Sequence, residues 1–80
     1  MSFEEFRLEG EYVELNLLLK LTGHANSGGE GKHFVAAGLV SVDGVVELQK
    51  TRKVRAGQIV KFVDSSRSID VEISVLPEVD

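Results

Sequence analysis

The apolar positions of this chain change their spacing partway along it. Over residues 14–21, Leu15, Leu18, Leu19 and then Thr22 recur at three- and four-residue steps, and Leu17 and Leu21 widen the same stripe. That spacing predicts an amphipathic helix, with Gly23 as its stop. A second helix has a sharper start. Ser27-Gly28-Gly29-Glu30 has the form of a capping box, with Ser27 as N-cap and Glu30 at the third helical position. Phe34, Val35 and Ala37 are its apolar positions, and Gly38 closes it. The link between the two is short, which predicts an αα-hairpin.

Beyond Gly38 the period falls to two. Leu39, Val40 and Val42 run into Asp43-Gly44, a favoured two-residue hairpin turn, and Val45, Val46 and Leu48 continue on its far side. Residues 49–53 are polar and basic and read as an exposed loop. Val54 precedes an Ala56-Gly57 turn, and Ile59, Val60, Phe62 and Val63 predict another strand. After a turn at residues 64–67, Ile69, Val71, Ile73 and Val75 alternate with Asp70, Glu72 and Ser74, as in a half-buried strand. Phe3, Phe6 and Leu8 predict a short N-terminal strand, and Pro77 with the acidic end is expected to fray. The predicted class is α+β, a helical hairpin packed on a small, mostly antiparallel sheet.

Composition narrows the picture. Eighty residues predict a single domain, 1–80, with a modest core. Without cysteine there is neither a disulfide nor a thiolate metal site to reinforce that core. No apolar run reaches the roughly 20 residues of a membrane span. The acidic start Met1-Ser2-Phe3-Glu4-Glu5 does not have the order of a signal peptide. A cytoplasmic, monomeric protein with no membrane partner is the expectation.

The net charge of -4 points away from nucleic acid, but its distribution does not. Residues 20–61 hold seven Lys or Arg against three acids, while the flanks hold ten acids against Arg7 and Arg67. Phosphates respond to the local patch within a Debye length, not to the total. Lys50, Arg52, Lys53 and Arg55 fall within six positions with no acid between them. This is either a phosphate-contacting cluster or a solvated loop.

The order helix, turn, Ser27, helix, Gly38, then Leu39-Val40-Ser41-Val42-Asp43-Gly44 resembles the RNA-binding domain family named after small-subunit ribosomal protein S-four. The segment Val54-Arg55-Ala56-Gly57-Gln58-Ile59-Val60 is similar to that family's later strand entry. The start of the first helix and Ser27-Gly28-Gly29-Glu30 with Lys32 resemble its small stand-alone bacterial YbcJ-type members. The resemblance implies an αL RNA-binding motif. It also implies that structured RNA, ribosomal RNA or the ribosome itself, is the partner, contacted by the helical hairpin and the following β-turn. Three positions depart from the pattern: Gly28 where Arg is usual, Gly31 where Ala is common, and Asp43 in place of Asn. Gly31 is expected to weaken its helix by about 1 kcal/mol relative to Ala.

Candidate RNA contacts are therefore Ser27, Gly28 and Gly29, at a helix N-terminus with free N–H groups and a favourable dipole. Lys32 and His33 lie one turn on, and Lys50, Arg52, Lys53 and Arg55 form the basic segment. Of the aromatic residues, Tyr12 alone is expected to be free to stack on a base, which favours recognition of folded RNA by shape and charge. Glu30 and His33 share a helical face but have no second pair, so no metal site is predicted. Asn26 and His33 break the phosphate-loop pattern around Gly31-Lys32. No catalytic constellation and no cofactor motif appear, and a non-enzymatic binding module is expected. The competing expectation is a protein-interaction adaptor that docks a basic partner through the acidic flanks.

Overall fold

The structure, a computed structural model, describes residues 1–79. The period-two stretch at the end of the chain forms strand β7 (Ile69–Leu76), which buries Val71, Ile73 and Val75 and turns Asp70, Glu72 and Ser74 the other way. Its neighbours are β1 (Ser2–Arg7), which runs parallel to it, and β6 (Ile59–Asp64), which runs antiparallel. β3 (Val40–Val42) pairs with β6, and β4 (Val45–Val46) closes the order β1-β7-β6-β3-β4. The parallel pairing aligns Ser2 with Val71 and Arg7 with Leu76, so the first and last strands of the chain lie side by side.

Helix α1 (Leu15–Leu21) and helix α2 (Gly28–Ala36) cover one face of this sheet. Leu15, Leu18, Leu19, Phe34 and Val35 meet Val40, Val60, Phe62 and the inner side of β7 in one buried cluster. The Phe34 and Phe62 rings sit 4.9 Å apart at its centre, a separation at which aromatic pairs attract. Each such fully buried side chain contributes about 1.5–3 kcal/mol relative to exposure. The α+β class and the mostly antiparallel sheet match the sequence expectation.

Both helices end as their glycines predict. Gly23 and Gly38 adopt left-handed backbone angles, and the N–H groups of His24 and Leu39 reach back to Leu19 and Phe34. This reversal satisfies helix-end carbonyls that would otherwise be unpaired. At the start of α2, Ser27 Oγ accepts from the Glu30 N–H at 3.1 Å. The Glu30 carboxylate reaches the N–H of Asn26, one residue earlier than the usual box.

Several expectations need correction. Leu17 and Leu21 do not widen the buried stripe; they are 37 % and 60 % exposed, because α1 is short and turns only one side to the sheet. Ala37 is exposed as well. The hairpin past Asp43-Gly44 does form as expected, over Val45–Val46, and Val45, Val46 and Leu48 are exposed there. The basic loop is partly strand: β5 (Lys53–Val54) pairs with β2 (Val13–Glu14) in a separate two-stranded ladder. The C-terminal end is anchored further than expected, since the Pro77 carbonyl accepts from Arg7 Nη1 at 2.9 Å. Of the end expected to fray, Asp80 lies outside the described residues.

Candidate functional site

The first turn of α1 has no side-chain cap. Its N–H groups are taken instead by backbone carbonyls of the basic segment: Leu15 N–H donates to Arg52 O at 2.8 Å and Asn16 N–H to Lys50 O at 3.2 Å. Helix starts need such acceptors, so the basic segment is held at this end of the helical hairpin by the main chain. Asn16 also reaches the other helix. Its Nδ2 donates to Gly28 O at 3.4 Å, and its own carbonyl lies against Gly31. The residue is 3 % exposed, and its Oδ1 has no hydrogen-bond partner among the described residues. Asn16 thus touches both α2's first turn and the basic segment, and so fixes how far apart they stand.

Around this joint the candidate residues divide. Gly28 and Gly29 occupy the first two positions of α2, and among the described residues their N–H groups have no acceptor. Lys32 is exposed one turn on from Gly28. The Ser27 hydroxyl is engaged in capping, and Glu30 adds a negative charge at the same helix end. His33 turns roughly 100° away from Lys32. It borders a separate hollow with Leu39, Val63 and residues 64–67, where Arg67 lies over the Phe34 ring and pairs with Asp64. The structure therefore links Gly28 to the basic segment through Asn16, and His33 lines a separate hollow.

Within the basic segment, Arg52 is braced against Glu47 at 2.5 Å. That guanidinium, with the Gln49 N–H, holds the Glu47 carboxyl below its ordinary range. Lys53 and Arg55 converge on Tyr12, their charged groups 4.9 and 5.7 Å from its ring centre. Such placement is attractive to a cation, and it means Tyr12 is not the free ring the sequence suggested. Arg55 is also 3.9 Å from Glu11, both well exposed, a contact of little energetic weight. Its N–H donates to Gln58 Oε1, and Gln58 Nε2 in turn donates to Asp43. Asp43 accepts from the Ile59 N–H with its second oxygen, so the residue that replaces Asn in the turn ties the β3–β4 hairpin to the segment carrying Arg55.

Sequence reasoning missed Asn16 and the contacts of Tyr12 with Lys53 and Arg55. A single polar residue inside a run of leucines was the available signal for Asn16. Tyr12 gave none, because its contacts come from residues about forty positions away in the sequence. Among the described residues, no group of three or more His, Cys, Asp or Glu side chains is gathered, and no helix is long and apolar enough to cross a membrane.

Comparison with known proteins shows relatives of this chain. A family model described as S4 domain matches residues 6–72. YbcJ of Escherichia coli (strain K12), which its name describes as a candidate RNA-binding protein, is 49 % identical over 55 residues, covering 69 % of this chain and 79 % of YbcJ. An uncharacterized YbcJ of Shigella flexneri matches to the same extent. The solution structure of E. coli YbcJ, reported to reveal an αL motif involved in RNA binding, superposes with a TM-score of 0.61. It is 41 % identical and covers 88 % of this chain and 85 % of that one.

Proposed function

The chain belongs to the S4 domain family, and on that footing we propose that it binds structured RNA, without catalysis, through one surface joining the N-terminus of α2 to the basic segment 50–55. The observation that carries the reading is Asn16, which hydrogen-bonds to Lys50 with its backbone and to Gly28 with its side chain. Two phosphate-binding features are thereby set at a fixed spacing, as recognition of a folded backbone requires. The RNA-binding description of YbcJ supports the same reading.

In this surface the N–H groups of Gly28 and Gly29 receive a phosphate at the positive end of α2. Lys32, Lys50, Lys53 and Arg55 neutralise neighbouring phosphates. Ser27 shapes the helix start, Arg52 braces the segment while adding charge, and His33 lies at the margin. The target is ribosomal RNA or a ribosome-associated RNA, and residues 1–80 act as one cytoplasmic, monomeric domain.

The test is affinity for a structured ribosomal RNA fragment at several salt concentrations. Wild type is compared with a folded Lys50→Ala, Lys53→Ala, Arg55→Ala triple variant. Loss of these contacts should flatten the log–log salt slope by about two to three. An unchanged slope moves the site elsewhere. Absence of binding by the wild type turns attention to a protein partner for the acidic flanks.

A further inference from the structure

An apolar strip runs between the two cationic parts of this surface. Leu17 and Leu21 stand one turn apart on the outward side of α1. Leu17 Cδ2 lies 3.4 Å from where a Cβ on Gly28 would sit, so the strip begins at the first turn of α2. At its other end Leu21 joins Phe6, Val13 and Tyr12 in a groove of about 340 Å³, with Arg7 and Glu9 as its polar lining. Tyr12, 41 % exposed, carries Lys53 and Arg55 over its ring. The groove therefore opens beside cations, and Leu17, one turn from Leu21, carries the apolar strip on to Gly28.

Phosphates do not account for exposed leucines. A paired RNA helix presents sugars and phosphates outward and keeps its apolar base faces stacked inside, whereas a base turned out of the helix exposes a flat face beside its own phosphate. Aromatic and apolar side chains next to cations suit that ligand. We propose that this groove receives one unpaired nucleobase of the bound RNA, packed against Tyr12, Leu21 and Val13, with its flanking phosphates on Lys53 and Arg55. The Glu9 carboxylate can only accept hydrogen bonds when ionised, so it favours a base that offers an amino or imino N–H. The inference rests on the RNA-binding reading and adds to it a preference for RNA carrying a bulged or looped-out base.

The test compares a hairpin RNA carrying a single bulged adenosine with the same hairpin fully paired. Tyr12 is the sole tyrosine and the chain has no tryptophan, so intrinsic emission reports on this groove. Wild type should bind the bulged hairpin roughly fivefold or more tightly than the paired one, the lower end of what stacking one base contributes. Tyrosine emission should fall with the bulged hairpin and not with the paired one. Leu21→Ser, at an exposed position, should erase the preference while leaving affinity for the paired hairpin unchanged. Equal affinity for the two hairpins with unchanged emission overturns the inference and leaves RNA binding standing. Binding of neither hairpin overturns both.

Discussion

A Cβ at position 31 would lie 2.3 Å from the carbonyl oxygen of Asn16. The two helices therefore touch backbone to backbone at that point, and Gly31 is buried because α1 occupies the space a side chain would need. Read as helix chemistry alone, a glycine at the centre of α2 is a defect of about 1 kcal/mol. In the folded chain it is what lets Asn16 reach Gly28 while its N–H stays on Lys50.

Gly31→Ala should accordingly destabilise the protein despite its better helix propensity. The methyl group meets main chain, which cannot rotate aside, and overpacking of this kind costs about 1–3 kcal/mol. Urea denaturation should show a lower midpoint with an unchanged slope. An equal or raised midpoint would mean that the helices separate easily and that the close approach matters little.

Asn16→Asp should behave differently. The site is 3 % exposed, and no donor is available to Oδ1 among the described residues. An ionised carboxylate there would be buried and unpaired, a loss of about 3–5 kcal/mol. Burial raises the folded pKa of the introduced acid, so its neutral form is the tolerated one. Stability of this variant should rise as pH falls from neutral toward the ordinary aspartate range. A pH dependence parallel to wild type would show that the site admits water.

Wild type should lose stability in acid. Glu47 is held below its ordinary pKa by the hydrogen bond from Arg52, and Asp64 by the hydrogen bonds from Ser66. A carboxyl whose folded pKa is depressed stabilises the fold fully above its unfolded value. That contribution fades as pH falls from the unfolded value through the folded one. For both groups the loss begins near the ordinary carboxyl values, 4.5 for Glu47 and 3.8 for Asp64, and continues below them. Thermal melts across that range should fall for wild type and fall less steeply for Glu47→Gln. Identical slopes would remove Glu47 from the account.

Much of this was legible in the sequence because the relevant signals are local. The Ser27 cap, the glycine stops and the alternation along β7 each depend on a few neighbouring residues. The leucine run was ambiguous: with so many apolar positions, periodicity could not say that Leu17 and Leu21 face out. What faces them is decided by the sheet and by α2, which lie far along the chain. The β2–β5 ladder is two residues long, too short to leave a period, and it arranges Lys53 and Arg55 around Tyr12. Gly31 was misjudged for the same reason, since its cost is local and its use is tertiary.

Arg52 and Lys50 carry the same charge but should answer differently to removal. The Arg52 side chain is braced against Glu47, which also holds the Gln49 N–H, so its loss loosens the segment whose carbonyls cap α1. Lys50 contributes to that cap through its main chain only, which alanine preserves. Lys50→Ala should keep the denaturation midpoint of wild type and flatten the salt slope of RNA binding by somewhat less than one. Arg52→Ala should lower the midpoint and weaken binding more than its single charge explains, because Lys50 and Lys53 lose their fixed placement. Glu47→Gln separates the two effects. It removes the acid that offsets Arg52, so affinity at low salt should rise if the segment stays in place and fall if the brace sets its position. Equal responses of Lys50→Ala and Arg52→Ala in both stability and slope would mean that charge alone matters there.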